Sequence, residues 1–175
     1  RVLDAFSYTG AFGLAALVHG GATSARALDS SEPALETARR GAALNGLEDR
    51  FEAERGNVLR YLDHQRKEGG RRFDVVSLDP PKLVPKRSAL PKGLRLYREI
   101  NVKGMSVLEP GGILATSSCS QSVSERDFAT MVADAAREAG RQVQLLERGE
   151  AGPDHPAMVP HEMSRYLKFR IYRVL

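Results

Sequence analysis

Short apolar runs alternate with amphipathic helical periods along almost the whole chain, and this alternation narrows the possible folds more than any other feature. A strand keeps one face apolar with a period of two, a helix with a period of about 3.6. "VLDAF" (2–6) predicts a strand, and "GAFGLAALVHGG" (10–21) a helix that stops at glycines. "SARALD" (24–29) predicts a second strand. "SEPALETARRGAALNG" (31–46) predicts a helix with Pro33 in its first turn and Gly46 just past its end. "FEAER" (51–55), "VLRYLDHQRKEG" (58–69) and "FDVVSLD" (73–79) continue as strand, helix and strand. A loop follows with prolines at 80, 81, 85 and 91. Residues 94–108 predict a helix stopped by "EPGG", and "ILATSSC" (113–119) the next strand. Phe128, Val132, Ala135 and Ala139 form one stripe of a helix over 124–139. "RQVQLLER" (141–148) and "RYLKFRIYRVL" (165–175) predict two late strands, joined by a loop with Pro153, Pro156 and Pro160.

Strand–helix alternation implies a parallel sheet covered by helices on both faces, and right-handed crossovers leave few topologies. The last strand follows a strand with no helix between, which predicts an antiparallel pair at the sheet edge. There is no internal repeat or low-complexity segment.

At 175 residues the chain has room for one domain with a real core. Its 42% hydrophobic and 27% charged residues fit a soluble globular protein. No apolar stretch reaches the roughly 18 residues of a membrane span. No charged leader precedes an apolar segment. The single cysteine, Cys119, cannot form an internal disulfide, so a reducing cytoplasm is expected. No His/Cys cluster has metal-ligand spacing, and no metal is expected. Arg1 runs straight into the first strand, which suggests one domain cut from a longer chain. Between Lys82 and Lys103 stand seven basic residues and one acid, Glu99. A basic loop on a near-neutral domain suggests a polyanionic partner, a solvated surface being the plainer reading.

In sheets of this kind ligands bind beyond the carboxyl ends of the strands, where strand order reverses. The first such end is "DAFSYTGAFG". Gly10 and Gly13 let backbone approach a ligand, but the G-x-G-x-x-G of a pyrophosphate site is missing. A nicotinamide or flavin dinucleotide is therefore disfavoured. The second strand ends in Asp29, an acid placed to accept from both hydroxyls of a ribose. Asn57 follows the third strand, near an adenine or as the cap of the next helix. An adenosine ligand without pyrophosphate fits this set, and S-adenosylmethionine is the common one.

The fourth strand ends at Asp79-Pro80-Pro81-Lys82, where two prolines hold the chain extended. Many base-modifying methyltransferases carry an aromatic after the two prolines, and Lys82 and Leu83 stand there instead. Fourth and fifth strands are expected neighbours, so Asp79 and Cys119 should face one crevice. A thiolate beside a base-holding acid and a methyl donor suggests addition to carbon 6 of a cytosine, which makes carbon 5 nucleophilic. A buried small hydrophobe is the alternative for Cys119.

"LDAFSYTGAFG", "ALDSSEPAL", "FDVVSLDPPK", "YREINVKGMSVLEPGGILATSSCS" and the tail "DHP…YLKF" together resemble the bacterial 23S rRNA (cytosine-C5) methyltransferases. The resemblance spans nearly the whole chain. It implies an α/β, Rossmann-like class I methyltransferase fold: a mostly parallel seven-stranded sheet with helices on both faces and an antiparallel edge strand. It implies that residues 1–175 are the catalytic domain, separated from an N-terminal PUA module and a linker domain. Phe6, Ser7, Tyr8, Thr9 and Gly10, with Asp29, Ser30, Asn57, Asp79 and Pro80, would hold S-adenosylmethionine. Cys119 would be the nucleophile and Asp79 the base-holding residue. Pro81, Lys82, Lys86, Arg87, Lys92 and Arg95, with Arg98, would meet 23S ribosomal RNA, and Tyr97 would pack within its helix. Relatives often carry an acid where Asn57 stands, and some related enzymes have a second cysteine that this chain lacks. His155 is read as structural. The rivals are an RNA methyltransferase acting on a purine nitrogen and a cofactor-binding RNA module without activity. The oligomeric state is left open, with a homodimer as one candidate.

Overall fold

The computed structural model describes residues 1–67, 69, 72–152 and 166–175. The elements run β1 (Val2–Ala5), α1 (Ala11–Val18), β2 (Ala25–Asp29), α2 (Glu32–Leu44), β3 (Phe51–Arg55), α3 (Val58–Lys67) and β4 (Phe73–Leu78). They continue with α4 (Leu90–Ser106), β5 (Leu108–Ser118), α5 (Glu125–Glu138), β6 (Val143–Gly149) and β7 (Lys168–Val174). The sheet has seven strands in the order β3-β2-β1-β4-β5-β7-β6. Strands β1 to β5 pair in parallel, and β7 runs antiparallel between β5 and β6. The expected antiparallel edge pair is β6 on β7.

Order reverses at β1, whose neighbours are β2 on one side and β4 on the other. One apolar cluster joins Leu17, Leu35, Ala38, Ala42 and Phe51 on the side of α1 and α2. A larger one joins Leu62, Tyr97, Ile100, Met105, Phe128 and Val132 on the side of α3, α4 and α5. Both faces of the sheet are thus covered, which is why β1, β2 and β4 read as buried runs. Helix α5 starts with a capping box in which Ser124 and Asp127 bond each other's backbone amides.

Two boundaries differ most from the sequence expectation. Helix α4 begins at Leu90, before the predicted 94, because Pro91 sits in its first turn. A proline there loses no intrahelical hydrogen bond and helps the helix start. "EPGG" does not lie outside the next strand. Strand β5 already begins at Leu108, and Gly111, at φ 80, bends the chain within it. The β4–β5 register shifts between Phe73 and Val75 to absorb this bend. Pro153, Pro156 and Pro160 of the late loop, and His155, lie outside the described residues.

Arg141 closes the far edge. Its guanidinium donates to the carbonyls of Leu175 at 2.9 Å, Glu109 at 3.2 Å and Val174 at 3.3 Å, and more distantly to Met105 and Leu108. It ties the entry to β6, the end of β7 and the start of β5. Arg141→Met leaves these carbonyls without their donor and is expected to lower stability by about 1–3 kcal/mol in urea unfolding.

Candidate active site

The β1–α1 loop is bent by residues in the left-handed region: Phe6 at φ 61, Tyr8 at φ 49 and Gly10 at φ 73. For Phe6 and Tyr8 this conformation costs about 1–2 kcal/mol each. The loop holds it through Ser7 N–H on the Leu28 carbonyl, 3.2 Å, and Gly10 N–H on the Ser7 carbonyl, 2.8 Å. A Cβ on Gly10 would come within 2.8 Å of the Phe51 ring, so only glycine fits there.

Asp29, at the end of β2, accepts from Tyr8 N–H and Ser31 N–H, both at 2.9 Å. One carboxylate therefore holds the first loop and the start of α2, and each oxygen keeps a lone pair for a ligand. Ser30 is exposed beside it. Asn57 caps α3: its side-chain oxygen accepts from Arg60 N–H at 3.1 Å. That leaves its amide group as the part able to meet an adenine nitrogen.

Asp4, in the buried β1, accepts from Gly13 N–H at 3.0 Å. Burial pushes its carboxyl up to about 7. The Gly13 bond opposes this, and the negative charges of Asp79 and Asp29 reinforce it. Three carboxylates thus converge beyond the ends of β1, β2 and β4. Among the described residues no group of three or more His, Cys, Asp or Glu is placed to hold a metal.

Asp79 follows β4 directly and is exposed, while Pro80 is buried behind it. Its N–H reaches the Ala5 carbonyl at 3.4 Å, and its carboxylate accepts from the Ser117 hydroxyl of β5. Cys119 lies one residue past β5 and is half-buried. Sulfur and carboxylate therefore stand at the tips of adjacent strands, as the sequence predicted.

The serines around Cys119 explain its setting. Ser118 and Ser120 are both fully buried. Ser118 Oγ donates to Tyr97 Oη at 2.9 Å, and Tyr97 Oη lies 3.1 Å from Ser120 Oγ. Ser120 Oγ also accepts from Val84 N–H at 3.1 Å. The network pins the cysteine turn to α4 and to the loop after β4, and it makes Tyr97 a packed residue. Sequence reasoning missed these partners, together with Ser117 and the burial of Asp4.

Lys82, Lys86, Arg87, Lys92 and Arg95 are exposed on the proline-rich loop and the first turns of α4, with Pro81 beside Lys82. Arg98 instead pairs with Glu138 at 3.2 Å, and Lys103 with Asp63 and Glu99, both at 2.7 Å. A shallow pocket of about 380 Å³ lies between α4 and α5 among Arg95, Arg98, Arg126, Asp127 and Thr130. A larger one, about 570 Å³, opens among Arg1, Ser24, Arg50 and Glu52, at the amino ends of β1, β2 and β3. It lies at the opposite end of the sheet from the convergent acids.

The strand order and the acids at the β1, β2 and β4 tips define a class I S-adenosylmethionine-dependent methyltransferase. Residues 1–170 match the S-adenosylmethionine-dependent methyltransferase family, and the chain belongs to it. It is 40% identical over 176 residues to Ribosomal RNA large subunit methyltransferase I of Klebsiella pneumoniae (strain 342), covering 100% of this chain and 44% of that protein. It is 41% identical to the protein of the same name from Salmonella arizonae, covering 43% of its length. The chain thus spans less than half of these relatives. The crystal structure of SMU.776 complexed with SAH superposes over 98% of this chain and 44% of its own, with TM-score 0.84 at 21% identity.

The residues present fit the family's cofactor. Among the described residues, Ser7 Oγ is buried in the loop without a hydrogen-bond partner. Asp29 would suit the ribose, and the nearby carboxylates would suit a cationic sulfonium.

The Asp4 carboxyl gives a pH signature. The folded chain keeps a proton that the unfolded chain releases above about pH 4. Stability of the cofactor-free protein should therefore fall as pH rises from about 4 to about 7, then level off, a change on the order of a few kcal/mol. Asp4→Asn should flatten this slope in urea unfolding followed across that range.

Proposed function

We propose that this chain is the catalytic domain of an enzyme that forms 5-methylcytidine in 23S rRNA through a covalent cysteine adduct. The observation that carries this reading is the pairing of Cys119 and Asp79 at neighbouring strand tips, with Asp79 held by Ser117. The names of the Klebsiella and Salmonella relatives support a large-subunit ribosomal RNA substrate. Such a substrate implies a bacterial cytoplasmic setting. RNA-binding modules outside these residues would add affinity, as the sequence resemblance implies.

The target cytosine leaves its stack and enters the crevice. The Asp79 carboxyl group meets N3 and the exocyclic amine and fixes the ring over Cys119. Cys119 Sγ forms a bond to C6 as thiolate. The C5–C6 electron pair shifts toward C5, and a proton shared between Asp79 and N3 offsets the developing negative charge. S-Adenosylmethionine held there would supply an electrophilic methyl group: C5 would take the methyl as its bond to the sulfonium sulfur breaks, the electron pair staying on a neutral thioether. A base then removes the C5 proton, the C5–C6 double bond re-forms, and Sγ leaves C6. Phe6 to Gly10, Asp29, Ser30, Asn57 and Pro80 form the cofactor side. Lys82, Lys86, Arg87, Lys92 and Arg95, with Pro81, form the side facing RNA phosphates, so binding should weaken steeply with salt.

Cys119→Ala should lower methyl transfer by on the order of a thousandfold or more while cofactor binding, read by calorimetry, persists. RNA carrying 5-fluorocytidine at the target should form a stable adduct with the wild-type chain and none with the variant. Full activity in the variant without any trapped adduct would point to a purine nitrogen instead.

A further inference from the structure

We propose that Lys168 is a positioning residue for Cys119. Its ammonium group is built under the end of β5, where it fixes the turn that carries the thiol and sets a positive charge beside it. The proposal rests on the covalent reading above and assigns a role to a residue outside the Cys119–Asp79 pair.

Lys168 opens β7 and lies opposite Ser118 in the antiparallel β5–β7 register. It is 3% exposed, the one lysine in the buried core of the described residues. Its Nζ donates to the carbonyls of Ser120 and Tyr166, both at 2.7 Å. The side chain therefore grips the residue that follows the cysteine, while its own backbone pairs with the residue that precedes it. Lysines are rarely buried, because removing the ammonium from water is costly unless its hydrogens find acceptors. Two backbone carbonyls supply them here, and one belongs to the cysteine turn itself.

The two side chains also interact electrostatically. Burial pulls the Lys168 amine below the ordinary lysine range, and the negative charge of an ionised Cys119 pulls it back up. The Tyr97–Ser118–Ser120 network holds the turn from the α4 side, and Lys168 holds it from β7. Neither group touches the reacting atoms.

The test compares Lys168→Met and Lys168→Arg with wild type in the full chain. Two rates are read: formation of the 5-fluorocytidine adduct, and alkylation of Cys119 by iodoacetamide without RNA at fixed pH. Cys119 is the only cysteine, so the second rate reports it alone. Lys168→Met should slow both rates by roughly tenfold or more with cofactor affinity unchanged. Lys168→Arg, which keeps the charge and the donors, should restore most of each. Wild-type rates in Lys168→Met would overturn the proposal. So would loss of cofactor binding in parallel with the rates, since that marks a merely structural residue. If wild type forms no adduct, the covalent cytosine reading fails, and the alkylation rates still judge Lys168 by themselves.

Discussion

The register that sets Ala5 against Leu78 and Leu78 against Thr116 decides where each reactive group stands. Parallel strands in register end together, so whatever follows β1, β4 and β5 emerges on one rim. A slip of one residue would turn each following side chain to the other face of the sheet. The fully buried Leu3, Leu78 and Leu114 make such a slip costly. The bond from Ser117 to Asp79 and the approach of Asp79 N–H to the Ala5 carbonyl then join the three tips. Core packing thus fixes the separation between the β1–α1 loop, the acid and the sulfur.

The electrostatics of the rim follow from that convergence. Asp4, Asp29 and Asp79 repel one another, and the fold answers in different ways. Asp29 is neutralised in part by two backbone amides. Asp4 takes one amide from α1 and is driven toward its protonated form. Asp79 stays exposed with a hydroxyl donor. A cation placed among them would relieve the repulsion on Asp4. The left-handed Phe6 and Tyr8 belong to the same arrangement, because their strain turns the Tyr8 amide toward Asp29.

Much of this was legible in the sequence, for reasons that can be traced to particular residues. Strand-helix alternation is a local signal, and the rule that ligands sit beyond strand ends then carried Asp29, Asp79 and Cys119 to one rim. What the sequence concealed is non-local. Ser117 and Ser118 read only as the end of a strand, and Ser120 only as the loop after it, until Tyr97 and Asp79 are seen to bond them. Arg98 and Lys103 look like part of a uniform basic face, but their partners Glu138 and Asp63 come from other helices. Pro91 misplaced the start of α4 because a proline stops a helix in its interior and favours it in its first turn. Asn57 was read both as cap and as ligand, and the cap is visible because it needs only the next turn of chain.

The Ser-Cys-Ser turn is a costly way to end a strand. An apolar residue at 118 or 120 would need no hydrogen-bond partner of its own. Instead, two hydroxyls, a phenol and an ammonium are buried there, each demanding a partner whose loss would cost about 1–3 kcal/mol. Networks of this kind add little net stability, yet they admit few alternative geometries. Their members here come from β5, α4, the loop after β4 and β7, so the last three each bond to the turn that bears the sulfur. Specificity of position, rather than stability, is what such an arrangement supplies. It is supplied at the one place in the chain where a thiol stands next to a rim of acids.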